Sequence, residues 1–125
     1  MTFAAGTSAT LNGLLFLPDG TAAAPALANT GDTNTGFFWS ADTVVSFTAN
    51  GVSQFTMADG VIAPVTHDDV SLGTNSLRWS DVYTADLHLK NDRGDWTIVE
   101  EADYLTVINN ATGKKYKMLM EEIED

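Results

Sequence analysis

Tight-turn dipeptides punctuate this chain from one end to the other and constrain its fold more than any other feature. In each of them asparagine, aspartate or threonine precedes glycine, a combination that readily supplies the positive φ of a tight turn. The stretches between the turns hold short runs rich in β-branched and aromatic residues, as β-strands do. Because helical patterns are nearly absent before the C-terminal end, the sequence predicts an all-β protein of short strands and hairpins. The turn pairs are Asn12-Gly13, Asp19-Gly20, Asn50-Gly51, Asp59-Gly60 and Thr112-Gly113.

The clearest predicted hairpin lies around the third of these turn pairs. Residues 43–49 and 52–57 flank it, and the first run alternates apolar with polar side chains, the period of a half-buried strand. In the second run, Val52 and Phe55 break strict alternation. We therefore expect the second strand to contain a bulge or to bury side chains on both faces.

Three segments of the chain differ in amino-acid composition. Residues 1–30 are rich in Ala, Thr, Gly and Leu, with one apolar run at residues 14–17. Residues 31–74 hold the predicted hairpins, and residues 75–125 contain all six basic residues. We treat these as three segments of one modest domain-sized chain of 125 residues.

The chain is acidic, with a formal net charge of −11, yet its N-terminal half is almost free of charge. Only three acidic residues and no basic ones precede Asp59. Exposed strand edges are usually protected by charge or covered by other chain segments, so this half is expected to be covered by neighbouring chains in an obligate oligomer. The acidic balance argues against nucleic-acid binding. No apolar run approaches the roughly 20 residues of a transmembrane helix, so no membrane insertion is expected.

Residues that could carry catalysis or bind a cofactor are few. The chain has no cysteine, which excludes disulfides, Cys-based zinc sites and a thiol nucleophile. His67 and His88 are its two histidines, and neither lies in a metal-ligand spacing. We therefore expect no enzyme activity, no cofactor and no metal. The N-terminus lacks the pattern of a signal peptide, so synthesis in the cytoplasm is expected.

Three stretches resemble bacteriophage fibre proteins. Residues 72–83 read LGTNSLRWSDVY, similar to an element that recurs in phage fibres and other virion appendage proteins, with Leu-Gly followed by Arg-Trp-x-Asp-Val/Leu-Tyr. Residues 30–47 resemble an aromatic strand segment of tail fibres. Residues 95–100 together with 109–116 resemble a terminal hairpin of similar fibres. The three stretches span roughly residues 30–120, and the first is the most specific.

The resemblance implies an intertwined, β-rich homotrimer with strands of three chains wound about one axis. It implies a non-catalytic virion structural protein, a small tail or head fibre for attachment or host-surface recognition. In this interpretation residues 1–30 form an extended segment bound to other virion proteins, 31–74 a fibre segment, and 75–125 a C-terminal trimerisation and tip segment. A host-surface glycan or protein is the expected distal partner, and the protein would be located in the virion after synthesis in the host cytoplasm. A lone His or Asp near the threefold axis could hold an ion.

Aromatic and apolar residues of the C-terminal segment are the candidate interface. Trp79 and Tyr83 are four apart, hence on the same side of a strand, and are either anchors against another protomer or part of a core hairpin. The planar guanidinium of Arg78 can form a bidentate hydrogen bond with the carboxylate of Asp81 or with one of a neighbouring chain. A turn at residues 109–113 is expected to fold 104–108 back against 114–120, leaving one face for an external partner. The expected trimer-interface residues are Trp79, Tyr83, Trp96, Ile98, Tyr104, Val107, Tyr116 and Met118.

Two other functions fit an acidic all-β chain. One is a monomeric carbohydrate-binding β-sandwich module, and the other is a fragment of a polysaccharide depolymerase. The mass in solution separates a fibre from the monomeric module, because only the fibre must contain three chains.

Overall fold

The computed structural model describes Ala4, Gly6 and residues 8–124. The other residues of the predicted N-terminal segment, and Asp125, lie outside the described residues. The chain divides into two compact units, Met1–Thr74 and Asn75–Asp125, and each contains one antiparallel sheet. The all-β prediction is confirmed, because the described residues form β-strands and no helix. The described residues therefore contain no helix that could cross a membrane.

The first sheet is a five-stranded meander in which each strand pairs with the next one along the chain. The predicted hairpin around Asn50-Gly51 is present, and both residues have positive φ, 52° and 74°, as a two-residue hairpin turn requires. The expected bulge is in its second strand, where Gln54 is the extra residue between the paired residues Phe55 and Ser53. The strands are β1 (Leu27–Asn29), β2 (Asp32–Ala41), β3 (Val44–Ala49), β4 (Val52–Ala58) and β5 (Val61–Pro64).

Register gives the two faces of the first sheet opposite characters. Side chains alternate between faces along a strand, so cross-strand partners share a face. One face, which we call the aromatic face, carries two rows of apolar residues that run across the strands. The opposite face carries mostly small and polar residues, together with Phe38, Val44 and Val61. The rows of the aromatic face are Leu27, Phe37, Phe47, Phe55 and Pro64, and Trp39, Val45, Met57 and Ile62.

The predicted N-terminal segment 1–30 contributes its end to the first sheet. Strand β1 pairs with β2, and the backbone N–H of Trp39 donates to the carbonyl of Asp19 at 2.8 Å. A bridge between Gly20 and Pro25 closes the intervening loop. The boundary expected after residue 30 therefore falls in the turn between β1 and β2, and residues 19–29 are part of the sheet.

The second sheet is a four-stranded meander with the same plan. In two of its turns an asparagine stabilises the chain reversal, because the side-chain oxygen of Asn91 accepts from the N–H groups of Arg93 and Gly94, and that of Asn109 from Ala111 and Thr112. The last hairpin was expected from the sequence and is present. Its first strand, 105–109, is shifted by one residue from the expected 104–108, and its second, 115–117, is shorter than the expected 114–120. The strands are β6 (Leu87–Asn91), β7 (Gly94–Glu100), β8 (Leu105–Asn109) and β9 (Lys115–Lys117).

Residues 65–86 form no strand, which corrects the placement of Trp79 and Tyr83 on one side of a strand. Ser, Thr, Asn and Asp separate the apolar residues of this stretch and favour turns and bends over an extended run. The guanidinium of Arg78 donates to the backbone carbonyl of Asn75 rather than to the carboxylate of Asp81, the one of its two expected partners that lies in the same chain. A four-residue spacing predicts a shared face only where a strand exists, and here it does not.

Candidate functional site

The described residues contain no group of three or more His, Asp or Glu side chains that could hold a metal ion. His67 lies exposed in the strand-free stretch, and His88 lies on β6 with its Nδ1 3.0 Å from the hydroxyl of Thr97. The features that stand out are surfaces. Each sheet has one apolar face that its own unit leaves partly open.

Four aromatic rings form a continuous cluster on the aromatic face of the first sheet. Phe47 stacks on Phe55 with ring centroids 4.6 Å apart, and Phe37 lies 5.9 Å from Phe47 and 6.1 Å from Trp39. These are separations at which aromatic pairs attract beyond their area burial. The rings are only half-buried, and at the margin Ile62 is 70% exposed. The chain thus assembles an aromatic core and leaves one side of it open.

The opposite face of the same sheet is the covered one. Ser46, Thr48 and Phe38 are buried there, and the hydroxyl of Thr48 donates to the carbonyl of Ala22 at 2.9 Å. The hydroxyl of Ser46 donates to that of Ser40 at 2.6 Å. The loop before β1 therefore packs against the polar face and accepts the hydrogen bond of Thr48, while the hydroxyl of Ser46 is satisfied within the sheet. This arrangement reverses the usual one, in which the apolar face of a sheet is the one covered.

The second sheet also has an apolar face. The indole of Trp96 and the ring of Tyr116 lie 6.0 Å apart on it, although Tyr116 is on the edge strand and half-exposed. The remaining apolar members come from the three strands β6, β7 and β8, and the two on β6 are also exposed. This face consists of Leu87, Leu89, Trp96, Ile98, Leu105, Val107 and Tyr116.

A hydrogen-bonded polar network occupies the other face of the second sheet. Asn110 donates to the carboxylate of Asp95 at 2.7 Å and to the hydroxyl of Thr97, and Lys90 lies 2.9 Å from the same carboxylate. The Asn110 hydrogen bond and the Lys90 ammonium lower the pKa of Asp95 below the ordinary value of an aspartate. Polar groups that satisfy one another in this way are suited to face water.

Farther along this polar face, two more pairs extend the network. The hydroxyl of Thr106 donates to Glu101 at 3.0 Å, and the Lys117 ammonium lies 4.5 Å from the centre of the Tyr104 ring. That distance is within the range of a cation–π interaction. Charged and aromatic groups are thus combined on this face near the last hairpin.

The eight predicted interface residues fall in different places. Four of them, Trp96, Ile98, Val107 and Tyr116, meet on the apolar face of the second sheet. Tyr104 lies on the opposite face, and the backbone N–H of Met118 donates to Leu105 just beyond β9. Trp79 and Tyr83 lie outside both sheets and are 63% and 95% exposed.

Sequence reasoning missed the aromatic face as a candidate interface. The signal was present, since aromatic residues recur at positions 37, 39, 47 and 55 on either side of a clear hairpin turn. Recognising it required the register, which places Phe37, Phe47 and Phe55 in one row. The bulge at Gln54 shifts that register by one residue, and its position was not fixed by the sequence pattern.

The accessible surface shows how incomplete the packing of one chain is. The chain exposes 10,927 Å², whereas a compact protein of this mass exposes about 6,500 Å². Two separate compact domains of the sizes of the two units would expose about 7,800 Å² in total. Among the described residues, Phe38 is the one large apolar side chain that is buried. A single copy therefore lacks the buried core of an ordinary domain.

Comparisons with protein-family models, with curated proteins and with solved structures found no match to this chain. The function is therefore inferred from its surfaces and from its sequence motifs.

Proposed function

We propose that this chain is a structural protein of a bacteriophage virion, a small homotrimeric tail or head fibre without catalytic activity. The observation that carries the proposal is the pair of partly open apolar faces, one on each sheet. The surface exposed beyond that of two compact domains is about 3,000 Å² per chain, well above the roughly 800 Å² that each partner buries in a standard interface. Other copies of the chain would supply the missing cover.

A closed ring of copies suits such a chain. In a cyclic oligomer each copy meets an identical neighbour, so every apolar face obtains the same cover and none is left over. The number three comes from the resemblance of residues 72–83 and the two outer stretches to phage fibres. With the apolar faces directed toward neighbours, the network around Asp95 and Asn110 would face water and would be available to a host-surface glycan or protein.

The N-terminal end is assigned to attachment to other virion proteins. Leu14 and Phe16 are 85% and 86% exposed, and no strand includes them. Two such side chains can each contribute roughly 1.5–3 kcal/mol when a partner buries them. Residues 8–18 contain no charged residue, which fits a segment that binds a protein surface rather than one exposed to solvent.

The alternative of a monomeric carbohydrate-binding module gains less support. A monomer would keep the aromatic face of the first sheet in water, and exposed apolar patches of this kind mark interaction sites or aggregation. Carbohydrate recognition through the polar face of the second sheet is compatible with a trimer and needs no monomer.

The mass in solution and the position in the particle test the proposal. Light scattering is expected to give about 40 kDa, three chains of 13.4 kDa, and antibodies against the chain are expected to label an appendage of the purified particle. A monomer at micromolar concentration would contradict the proposal. A stable dimer would contradict the threefold assembly, and labelling absent from intact particles would contradict the location.

A further inference from the structure

The strands of the first sheet are almost without charge. Together β1 to β5 contain one ionisable residue, Asp32, at the first position of β2. The whole chain carries a net charge of −11, so the neutrality of this sheet is a local feature. A partner that binds by charge would find nothing to pair with here, whereas an apolar partner would.

An apolar groove continues the aromatic face at its β5 edge. Phe55, Ile62 and Pro64 form one side of it, and Val70 and Leu72 form the other. Its volume is about 490 Å³, and Leu72 remains 77% exposed at its rim. The groove gives the open face depth, with room for several apolar side chains of a partner.

We infer that the aromatic face of the first sheet is a contact surface between copies, covered in the trimer by the aromatic faces of the other two copies where the three converge on the threefold axis. The inference rests on the proposed function, which requires several copies but does not determine which face of the first unit they cover. Every chain carries this face, so only a partner present in equal number can cover all of them. Another copy satisfies that stoichiometry by construction.

Charge favours the same occupant. Two acidic chains repel one another through most of their surfaces, and the repulsion is weakest where the charges are absent. The aromatic face is such a place. The polar face of the same sheet is already covered by the loop that contains Ala22, so a neighbour has no comparable apolar surface to cover there.

Adjacent residues of β5 provide a matched test. Ile62 points to the aromatic face and Val61 to the opposite face, and in the single chain they are 70% and 52% exposed. The chain has no cysteine, so Ile62→Cys and Val61→Cys each introduce one thiol. The full-length variants are assembled, checked for mass by light scattering, and reacted with a maleimide, with the urea-unfolded chains as the reference for intrinsic reactivity.

The expected result is a reversal of the order given by single-chain exposure. Ile62→Cys should react at least about tenfold more slowly than Val61→Cys, because reactivity requires access to the thiolate. Equal or faster reaction of Ile62→Cys in an assembled trimer would overturn this inference and leave the proposed function standing. Fast reaction in a chain that is monomeric by mass would overturn both.

A second pair of variants tests the same face by introducing a negative charge instead of a thiol. Ile62→Glu and Val61→Glu each add one negative charge at an exposed position of the single chain, where surface substitutions rarely affect folding. Ile62→Glu should weaken association at least about tenfold, since an unpaired carboxylate must then be desolvated between copies. Val61→Glu should leave association within about threefold of the parent chain. Equal effects of the two substitutions would contradict the inference.

Discussion

Phe47 and Phe55 face each other across β3 and β4 with ring centroids 4.6 Å apart and ring planes within 15°. The pair lies in the middle of the apolar row that crosses all five strands of the first sheet. Stacked aromatic pairs contribute about 0.5–1.5 kcal/mol beyond the area that they bury. Here the stack lies on the partly open face, while serine and threonine fill the covered one. The sheet is therefore ordered around a surface whose remaining cover must come from outside its own unit.

The close approach of β1 to β2 at Gly36 gives the first prediction. A Cβ atom at this position would overlap the backbone carbonyl of Leu27, which cannot move without breaking the β1–β2 pairing. Gly36→Ala should therefore destabilise the first unit by about 1–3 kcal/mol, as overpacking does. Urea unfolding followed by tryptophan fluorescence measures the change.

Gly13 supplies the control for that experiment. Nothing lies within 4 Å of a Cβ built there, and its φ is not positive. Gly13→Ala should leave the unfolding midpoint unchanged. Equal midpoints for Gly36→Ala and Gly13→Ala would show that β1 is not held against β2 as described.

The second prediction concerns the strand-free stretch between the sheets. Trp79 and Tyr83 are so exposed in the single chain that replacing both by serine should change its folding stability by less than about 0.5 kcal/mol. As anchors between protomers they would each contribute far more. The double variant should therefore weaken association about thirtyfold or more, the effect of losing roughly 2 kcal/mol at an interface hot spot. Sedimentation equilibrium measures the association constant.

Ser80→Ala is the matched substitution for this stretch, because Ser80 is an exposed polar residue between the two aromatic ones. It should leave association unchanged. Wild-type association by the Trp79→Ser, Tyr83→Ser chain would remove both residues from the proposed interface.

Local patterns predicted the fold class and the best hairpins, because those depend on neighbours in sequence. The Asn50-Gly51 turn and its flanking runs determine β3 and β4. The disrupted alternation between Val52 and Phe55 allowed either a bulge or a two-sided strand, and the structure has the bulge, at Gln54. The last hairpin followed in the same way from a dense run of strand formers around a turn ending at Gly113. In each case the turn residue and the strand pattern agree.

What depended on long-range pairing was not predictable from the same patterns. Strand β1 is three residues long and consists of Leu, Ala and Asn, so its composition carries little strand signal. Its place in the sheet is stabilised by pairing with β2 and by the Asp19–Trp39 hydrogen bond, which a local reading of the sequence does not contain. At Trp79 and Tyr83 a strand was predicted where the structure has none. The spacing of the two aromatic residues suggested a strand, but residues 65–86 form no strand.

The third prediction concerns pH. The pKa of Asp95 is lowered in the folded chain, so its ionised form is stabilising above the unfolded value of about 3.9, and that stabilisation is lost as the pH falls through the folded pKa. Asp95→Asn should lower the melting temperature at pH 7, and the difference should shrink towards pH 2 as the carboxylate takes up its proton. Asp92→Asn, in the neighbouring turn, controls for the loss of one negative charge. A melting-temperature difference that is the same at both pH values would show that the carboxylate does not act through its charge.

The fourth prediction separates attachment from folding at the N-terminal end. Removing residues 1–18 keeps Asp19 and β1, so the first sheet should remain intact while incorporation into particles is lost. Removing residues 1–30 also deletes the pairing along β2 and should lower the thermal stability of the first unit. Both chains are compared by melting temperature and by their content in purified particles. Normal incorporation of the shorter deletion would assign attachment to another part of the chain.

The last prediction concerns the C-terminal hairpin. Deleting residues 114–125 removes β9, the packing of Tyr116 on Trp96 and the hydrogen bond from Met118 to Leu105. Burial of one large apolar side chain contributes roughly 1.5–3 kcal/mol, so the melting temperature of the second unit should fall, and the newly exposed edge of β8 should promote aggregation. Deleting only 121–125 removes four acidic residues and Ile123 beyond β9 and should change neither the oligomeric state nor the melting temperature. If the longer deletion also leaves both unchanged, the hairpin is not what holds the copies together.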